Sequence, residues 1–230
     1  MQIKPISNNI QFCGGKRAIS VLTKQEQKIL TKYQAKFDYS KNKPFHAGIK
    51  RTADIIFSVM GLIITTPIIL ISSLAIKLDS KGAAIFKQKR IGKDGIPFTI
   101  YKLRTIQPSS DDKLLTSSDD KRITRVGKFL RKYSIDEFPQ FLNIIKGDMS
   151  LIGPRPISYK AYNLNKTEKD FFLRYSVKPG ASLNYPGKKF SKNQIPMIIT
   201  DKNYIENWNL KNDFKILLNI LSKVLKGKNC

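Results

Sequence analysis

Histidine and cysteine are almost missing from this chain, and acidic residues are scarce. The single His in 230 residues argues against a multi-histidine zinc centre and against a Ser-His-Asp triad, since both need imidazole. Cys13 and Cys230 are the only cysteines and stand at opposite ends of the sequence. That rules out a disulfide scaffold and fits thiols kept reduced in a cytosolic setting. Asp and Glu number 17 against 42 Lys and Arg, a formal charge of +25. Such a surplus calls for an anionic partner: nucleic acid, anionic lipid or a phosphorylated substrate. Apolar residues are present in ordinary amount, 41% with 13 Phe and 9 Tyr, so wholesale disorder is not expected. The length fits one domain, or one domain with an appendage.

The longest uncharged run covers residues 55–76, IIFSVMGLIITTPIILISSLAI. At about 1.5 Å per helical residue it would extend roughly 33 Å, enough for a hydrocarbon core of about 30 Å. A soluble core helix rarely lacks a polar face for six turns, so the run is expected to enter a membrane. It starts too deep in the chain, and lacks the cleavage flank, to be a signal peptide. Both of its flanks are basic. Residues 1–51 hold 11 Lys or Arg and 2 acids, a net of +9; residues 77–106 hold 8 and 2, a net of +6. Basic flanks belong on the cytosolic side, and each basic residue near an anionic leaflet gains about 1 kcal/mol. Thr65-Thr66-Pro67 lies mid-segment. Pro67 lacks a backbone donor and clashes one turn back, while the Thr hydroxyls can bond freed carbonyls. The expectation is a re-entrant helix–break–helix with both ends on one face; a Pro-kinked spanning helix is the alternative.

Residues 1–44 form a basic N-terminal extension. Helical spacing through Val21, Leu22, Ile29, Leu30, Tyr33 and Phe37 predicts either a helix lying on the membrane or a plain extension. Residues 83–103 predict two strands around the Gly92-Lys93-Asp94-Gly95 turn. Residues 107–120 are polar. Helices are expected near 121–132, 137–146, 160–172 and 202–226. The last aligns Tyr204, Trp208, Phe214, Leu217, Leu218, Leu221 and Leu225. Tyr204 and Trp208 suit a membrane interface or a core equally.

Residues 121–156 carry the most chemistry. Ser134-Ile135-Asp136-Glu137 has the form of a capping box, with acids placed to complement a helix dipole. The chemical alternative is that adjacent carboxylates share a divalent metal, or that one of them attacks phosphorus. Arg122, Arg125, Lys128, Arg131 and Lys132 crowd the pair, and Gly153-Pro154-Arg155-Pro156 holds an Arg in a stiff loop suited to fixed phosphate recognition, or is a surface turn.

Several segments together resemble a known family, the monotopic phosphoglycosyl transferases (bacterial sugar transferases). They are Lys50-Arg51 and Asp54 ahead of the apolar run, Pro67 within it, FKQKRIGKDGIPFTIYKLRT (86–105), TRVGKFLRKYSIDEFPQFLNIIKGDMSLIGPRP (124–156), VKPG (177–180) and DKNYIENWNLKNDFKILL (201–218). They cover residues 50–218 in the family's order. The resemblance implies an α+β, mainly helical fold. A re-entrant membrane hairpin (45–77), anchored through Lys50, Arg51 and Asp54 and broken at Thr66-Pro67, packs with a small cytosolic catalytic domain (78–230) that contains a β-hairpin. The implied activity transfers a sugar-1-phosphate from a UDP-sugar to polyprenyl (undecaprenyl) phosphate, releases UMP and starts a glycan. Asp136 falls on the nucleophile of a covalent phospho-sugar intermediate and Glu137 on an acid supporting Mg²⁺. Lys102, Arg104, Arg131 and Arg155 fall on phosphate- or substrate-binding or acid-pairing positions. The implied setting is the cytosolic face of a bacterial inner membrane, among anionic lipids, with room for a homo-oligomer and downstream glycosyltransferases.

One stretch departs from the family. After VKPG the chain reads Ala181-Ser182-Leu183-Asn184-Tyr185-Pro186-Gly187-Lys188-Lys189, without the family's Thr-Gly pair or its phosphate-binding Arg. Lys188 is the expected substitute, with looser geometry. This loop motivates a second hypothesis, a non-catalytic member that binds anionic lipid or scaffolds a glycan-assembly complex. A nucleic-acid function rests on charge alone, and no recognition motif supports it.

Overall fold

The computed structural model describes residues 20–107, 120, 122–182 and 195–225. Helix α1 (Lys24–Phe37) opens with a true capping box, in which Thr23 Oγ1 accepts from the Glu26 amide and Glu26 accepts from the Thr23 amide (3.3 and 2.7 Å). Its apolar side does not face a membrane. Leu22 and Leu30 are buried with Ile91, Tyr162, Phe171, Phe172 and Tyr175, and Tyr33 donates to Asp170 (2.7 Å). The N-terminal segment from residue 20 is therefore part of the globular body rather than a loose or membrane-lying extension. The buried Asp38 caps α2 (Tyr39–Asn42) and grips Lys93 Nζ with both oxygens (2.9 and 3.0 Å).

Helix α3 (Pro44–Asp79) spans 36 residues, roughly 54 Å at 1.5 Å per residue. It is the one helix among the described residues that is long and apolar enough to cross a membrane. Its polarity is inverted relative to a soluble amphipathic helix. Lys50, Asp54, Ser58, Thr65, Ser72 and Ile76 are buried against the body, while Ile56, Met60, Ile63, Ile71, Leu74 and Leu78 are exposed. The inner spacing of four and seven residues is one helical face. No loop separates two arms at Thr66-Pro67, contrary to the sequence expectation. The Thr65 and Thr66 hydroxyls reach the Gly61 and Leu62 carbonyls (2.7 and 2.6 Å). Ile63 O, deprived of its donor by Pro67, is not their acceptor, because a Thr hydroxyl reaches the carbonyl four residues before its own position.

Both ends of α3 are fastened to the same body. At the start, Lys50 Nζ donates to Asp213 (2.6 Å) and to Ile152 O (3.1 Å), and Arg51 donates to Ile144 O and Ile145 O (2.6 and 3.0 Å). Asp54 accepts from the Leu151 amide (3.0 Å). At the end, Asp79 accepts from the Val126 amide (3.2 Å), and Ile76 packs with Ala84, Leu103 and Leu130. The sequence motif Lys50, Arg51 and Asp54 thus anchors the helix to protein; its side chains turn inward, away from lipid headgroups.

Strands β1 (Ile85–Ile91) and β2 (Pro97–Leu103) form the expected antiparallel hairpin, in register from Ile85 opposite Leu103 to Ile91 opposite Pro97. α4 (Arg125–Lys132) is capped by Thr124 Oγ1. The stretch expected to be a helix over 137–146 is a 3₁₀ turn (135–140) followed by α5 (Phe141–Lys146), because Pro139 interrupts the donor ladder. β3 (Ser150–Ile152) pairs in parallel with β4 (Gly180–Ser182). A Cβ on Gly180 would lie 2.1 Å from Gly153 N, so these two backbones meet only as glycines. α6 (Tyr159–Asn165) is shorter than expected and precedes a 3₁₀ turn (171–176). The expected C-terminal helix is two, α7 (Ile195–Glu206) and α8 (Leu210–Leu225), because Asn209 Oδ1 caps a new start at the Asn212 amide (2.8 Å). Tyr204 and Trp208 are core residues, buried and both donating to Asp213 (2.9 and 3.0 Å).

Asp213→Ala would leave the Lys50 ammonium buried without its carboxylate, at a cost of roughly 3–5 kcal/mol, read as a lower thermal midpoint in detergent. Replacing both partners, Lys50→Met with Asp213→Asn, should recover part of that loss, because the asparagine oxygen still accepts from Tyr204 or Trp208. An unchanged midpoint in the single variant would mean that the pair does not hold α3.

Candidate active site

The acidic pair sits just past α4. Ser134 does not act as an N-cap. Its φ is +55°, in the left-handed region, its amide donates to Arg131 O (3.2 Å), and its side chain caps nothing. It closes α4, as left-handed residues commonly do. The acids therefore project from the 3₁₀ turn that follows, beside β2 and α3. Phe141 rests over Gly61, and Ile135 packs against the cluster that includes Ile76. The turn that carries the acids thus packs against α3 on the side that bears Ile76. Asn143, fully buried, accepts from the Tyr101 amide (3.1 Å) and donates to Thr99 O (2.7 Å), fixing β2 one residue before Lys102.

Lys102 Nζ lies 2.7 Å from Glu137 Oε1, and Arg155 Nη2 lies 3.3 Å from the same oxygen. Asp136 differs. Among the described residues no hydrogen bond or ion pair holds its carboxylate, and the side chain is half-buried. Loss of water pushes the Asp136 carboxyl above its ordinary value. Lys102 opposes that rise, the charge of Glu137 adds to it, and Arg131 and Arg155 oppose it. One acid is pinned; its neighbour is left free and raised.

The other sequence candidates divide. Arg131 acts on Asp136 through its charge while its Nε donates to Thr105 Oγ1 (3.0 Å). Arg104 is spent elsewhere, donating to Ser80 O and Lys81 O (2.8 and 2.7 Å). It caps the end of α3, whose last carbonyls need donors, and no contact with the acids is recorded for it among the described residues. Lys188, and the altered loop from residue 183 onward, lie outside the described residues.

The loop bearing Arg155 is held at four consecutive carbonyls. Pro154 O accepts from Gly180 N (2.8 Å), Arg155 O from Arg174 Nη2 (3.2 Å), Pro156 O from Arg90 Nη1 (3.1 Å) and Ile157 O from Ile91 N (3.1 Å). Arg174 pairs with Asp201 of α7 at 2.6 Å, both nearly fully buried. Arg90 escaped the sequence reading. Burial first, and the nearby Arg155 second, push its guanidinium down to about 10, while Glu137 opposes them. Its signal was strand alternation: Arg90 shares a β1 face with Gln88, whereas Lys87 and Lys89 lie on the other and are exposed.

Among the described residues no cluster of three or more His, Cys, Asp or Glu could hold a metal ion. The donor set at the dyad is two adjacent carboxylates inside a ring of cations. That set fits a hard, oxygen-seeking divalent ion that takes its remaining ligands from water and phosphate.

The family model described as bacterial sugar transferase matches residues 45–227. The chain belongs to the bacterial sugar transferase family. A UDP-glucose:undecaprenyl-phosphate glucose-1-phosphate transferase of Escherichia coli K12 is 36% identical over 189 residues, covering 78% of this chain and 40% of the relative. The Caulobacter vibrioides protein of the same name is 37% identical over 190 residues, covering 78% and 71%. A UDP-N-acetylgalactosamine-undecaprenyl-phosphate N-acetylgalactosaminephosphotransferase of Aeromonas hydrophila is 37% identical over 191 residues, covering 80% and 45%. The chain thus spans less than half the length of two of these three relatives.

The folded protein holds the Asp136 proton to higher pH than the unfolded chain does. Its ionised form therefore costs stability at neutral pH, and the cost fades as pH falls through the raised value. Asp136→Asn should raise the thermal midpoint at pH 7.5, with a gain that shrinks toward pH 4. A lower midpoint at pH 7.5 would mean that the carboxylate is well stabilised in the fold.

Proposed function

We propose that this chain transfers a sugar-1-phosphate from a UDP-sugar to undecaprenyl phosphate on the cytosolic face of a bacterial inner membrane, initiating a glycan. The observation that carries the reading is the asymmetric dyad: Asp136 free beside a Glu137 held by Lys102 and Arg155. Family membership and the relatives' names support the donor and acceptor classes. They name more than one sugar, so the sugar stays open.

In this reading an Asp136 oxygen attacks the phosphorus that bears the sugar. The bond from that phosphorus to the bridging oxygen breaks, and UMP leaves with the oxygen. An oxygen of undecaprenyl phosphate then attacks the aspartyl phospho-sugar, and Asp136 departs as a carboxylate with undecaprenyl-diphospho-sugar as product. Asp136 and Glu137 would hold Mg²⁺, which supplies neutralisation of the charge building on the diphosphate. Arg155 offers a planar two-donor grip for a phosphate, and Lys102 a point charge. Without such cations an attacking carboxylate and an anionic diphosphate would repel each other.

The same reading makes the chain monotopic. The two ends of α3 bind one body, through Lys50 with Asp213 and through Asp79 with Val126; a crossing would put them on opposite sides of the bilayer. The outer face of α3 carries an apolar groove lined by Phe45, Gly48, Ile49, Thr52, Ala53, Ile56 and Phe57, which supports burial of that face in lipid. In cells carrying replacements of Cys13 and Cys230, single cysteines at Gly48 and Lys81 should be equally shielded from an impermeant reagent applied outside. Labelling of one end only would mean that α3 spans.

With a UDP-sugar panel, Mg²⁺ and undecaprenyl phosphate, Asp136→Ala should lower UMP release by at least about 10³-fold. Near-normal turnover would remove Asp136 as nucleophile. Wild-type silence across the panel, with tight liposome binding, would favour the non-catalytic scaffold. In metal-free protein the Asp136 carboxyl should titrate above the ordinary Asp value of about 3.9, because its proton is held more tightly there, and Mg²⁺ should draw that value down.

A further inference from the structure

The Gly153–Ile157 loop cannot hold itself in place. Pro154 and Pro156 have no amide hydrogen, so its backbone offers mainly acceptors. Four successive carbonyls, at 154 to 157, are met by four donors from outside: two backbone amides and two arginine side chains. The two arginine bonds fall on residue 155 itself and on the next carbonyl. The Arg174 bond holds the peptide unit just after Arg155 and the Arg90 bond holds the next one, so both fix the stretch of backbone that carries the Arg155 side chain.

Arg90 makes one of these bonds at evident expense to folding. Its Nε is buried with no hydrogen-bond partner among the described residues. The stronger of the two charges acting on it is a like charge, Arg155, and Glu137, which attracts it, is the weaker. A neutral donor could hold Pro156 O without a desolvated cation facing another cation. Groups kept against the interest of stability concentrate where function needs them.

We propose that Arg90 is a positioning residue of the transfer site: by bonding Pro156 O it fixes the loop that aims Arg155 at the phosphate to be gripped. Arg174, oriented by Asp201 (2.6 Å), steadies the adjacent Arg155 carbonyl in the same way. The buried Nε faces protein, so Arg90 acts through Arg155 rather than on substrate. This rests on the reading of Arg155 as a phosphate-gripping residue.

The test is a double-mutant cycle on the full chain in detergent or nanodiscs: wild type, Arg90→Met, Arg155→Ala and both together, with UMP release resolved into kcat and KM. A misaimed catalytic group loses on the order of 10- to 100-fold. Arg90→Met should therefore lower kcat/KM by about that much in the wild-type background and by less than about twofold once Arg155 is gone. Equal losses in both backgrounds, or none in wild type, would overturn the proposal. If Arg90→Met does not fold, the cycle runs with Arg90→Lys. Lysine keeps the charge but not the fixed fork, so it should give a smaller loss that is again confined to the Arg155 background. An inactive wild type would count against the transfer reading instead. The same cycle is then read in the affinity for inorganic pyrophosphate, where additivity of the two substitutions would overturn the positioning role.

Discussion

A polar stripe on the inner side of an otherwise apolar helix is the constraint on which this molecule turns. Within that stripe the charged Lys50 and Asp54 can be buried only against protein that satisfies them. The body does so with Asp213, the Leu151 amide and the Ile152 carbonyl at one end. At the other end, Arg104 closes α3 at Ser80 and Lys81. Because helix and body are fastened at both ends, the turn bearing Asp136 and Glu137 has a fixed place beside α3.

Within the site the two acids are made different by their neighbours rather than by their chemistry. Glu137 takes both direct cation contacts, while Asp136 is surrounded by fields of both signs and bonded to none. The cation ring exceeds the two carboxylates in charge, so the site has positive character left for phosphate. Its parts come from distant stretches: Lys102 from β2, the dyad from the turn after α4, and Arg155 from a loop braced by β1, β4 and the 171–176 turn. Asn143 and the carbonyl bonds of 154–157 are what make that assembly rigid.

Much of this was legible in the sequence because it is locally encoded. The apolar run, the Gly92–Gly95 turn and the acidic pair in basic surroundings all appear where the pattern put them. What was not legible depends on partners far along the chain. Lys50 meets Asp213 across 163 residues, and nothing local separates that use from lipid binding. α1 reads as a surface helix until the aromatic cluster around Phe171 is there to receive Leu30. Ser134-Ile135-Asp136-Glu137 matches a capping box, yet α4 ends at Lys132 with Tyr133 as its cap and needs a left-handed residue just beyond. Arg104 belongs to a family motif, but carbonyls at the end of α3 claim it. The 202–226 pattern is amphipathic throughout, and the Asn209 cap that divides it is visible only once α8 has its own start.

The inverted polarity of α3 separates two properties that membrane enzymes usually entangle. Its outward residues, among them Ile56, Met60, Ile63, Ile71, Leu74 and Leu78, face away from the body, and the hydrogen bonds that tie the helix to it come from Lys50, Arg51, Asp54 and Asp79. The apolar side is a coat rather than a framework. Rewriting that coat in Glu, Lys and Gln would leave the internal bonding of the protein untouched, so a water-soluble counterpart of the same body lies a single helix face away from the natural sequence.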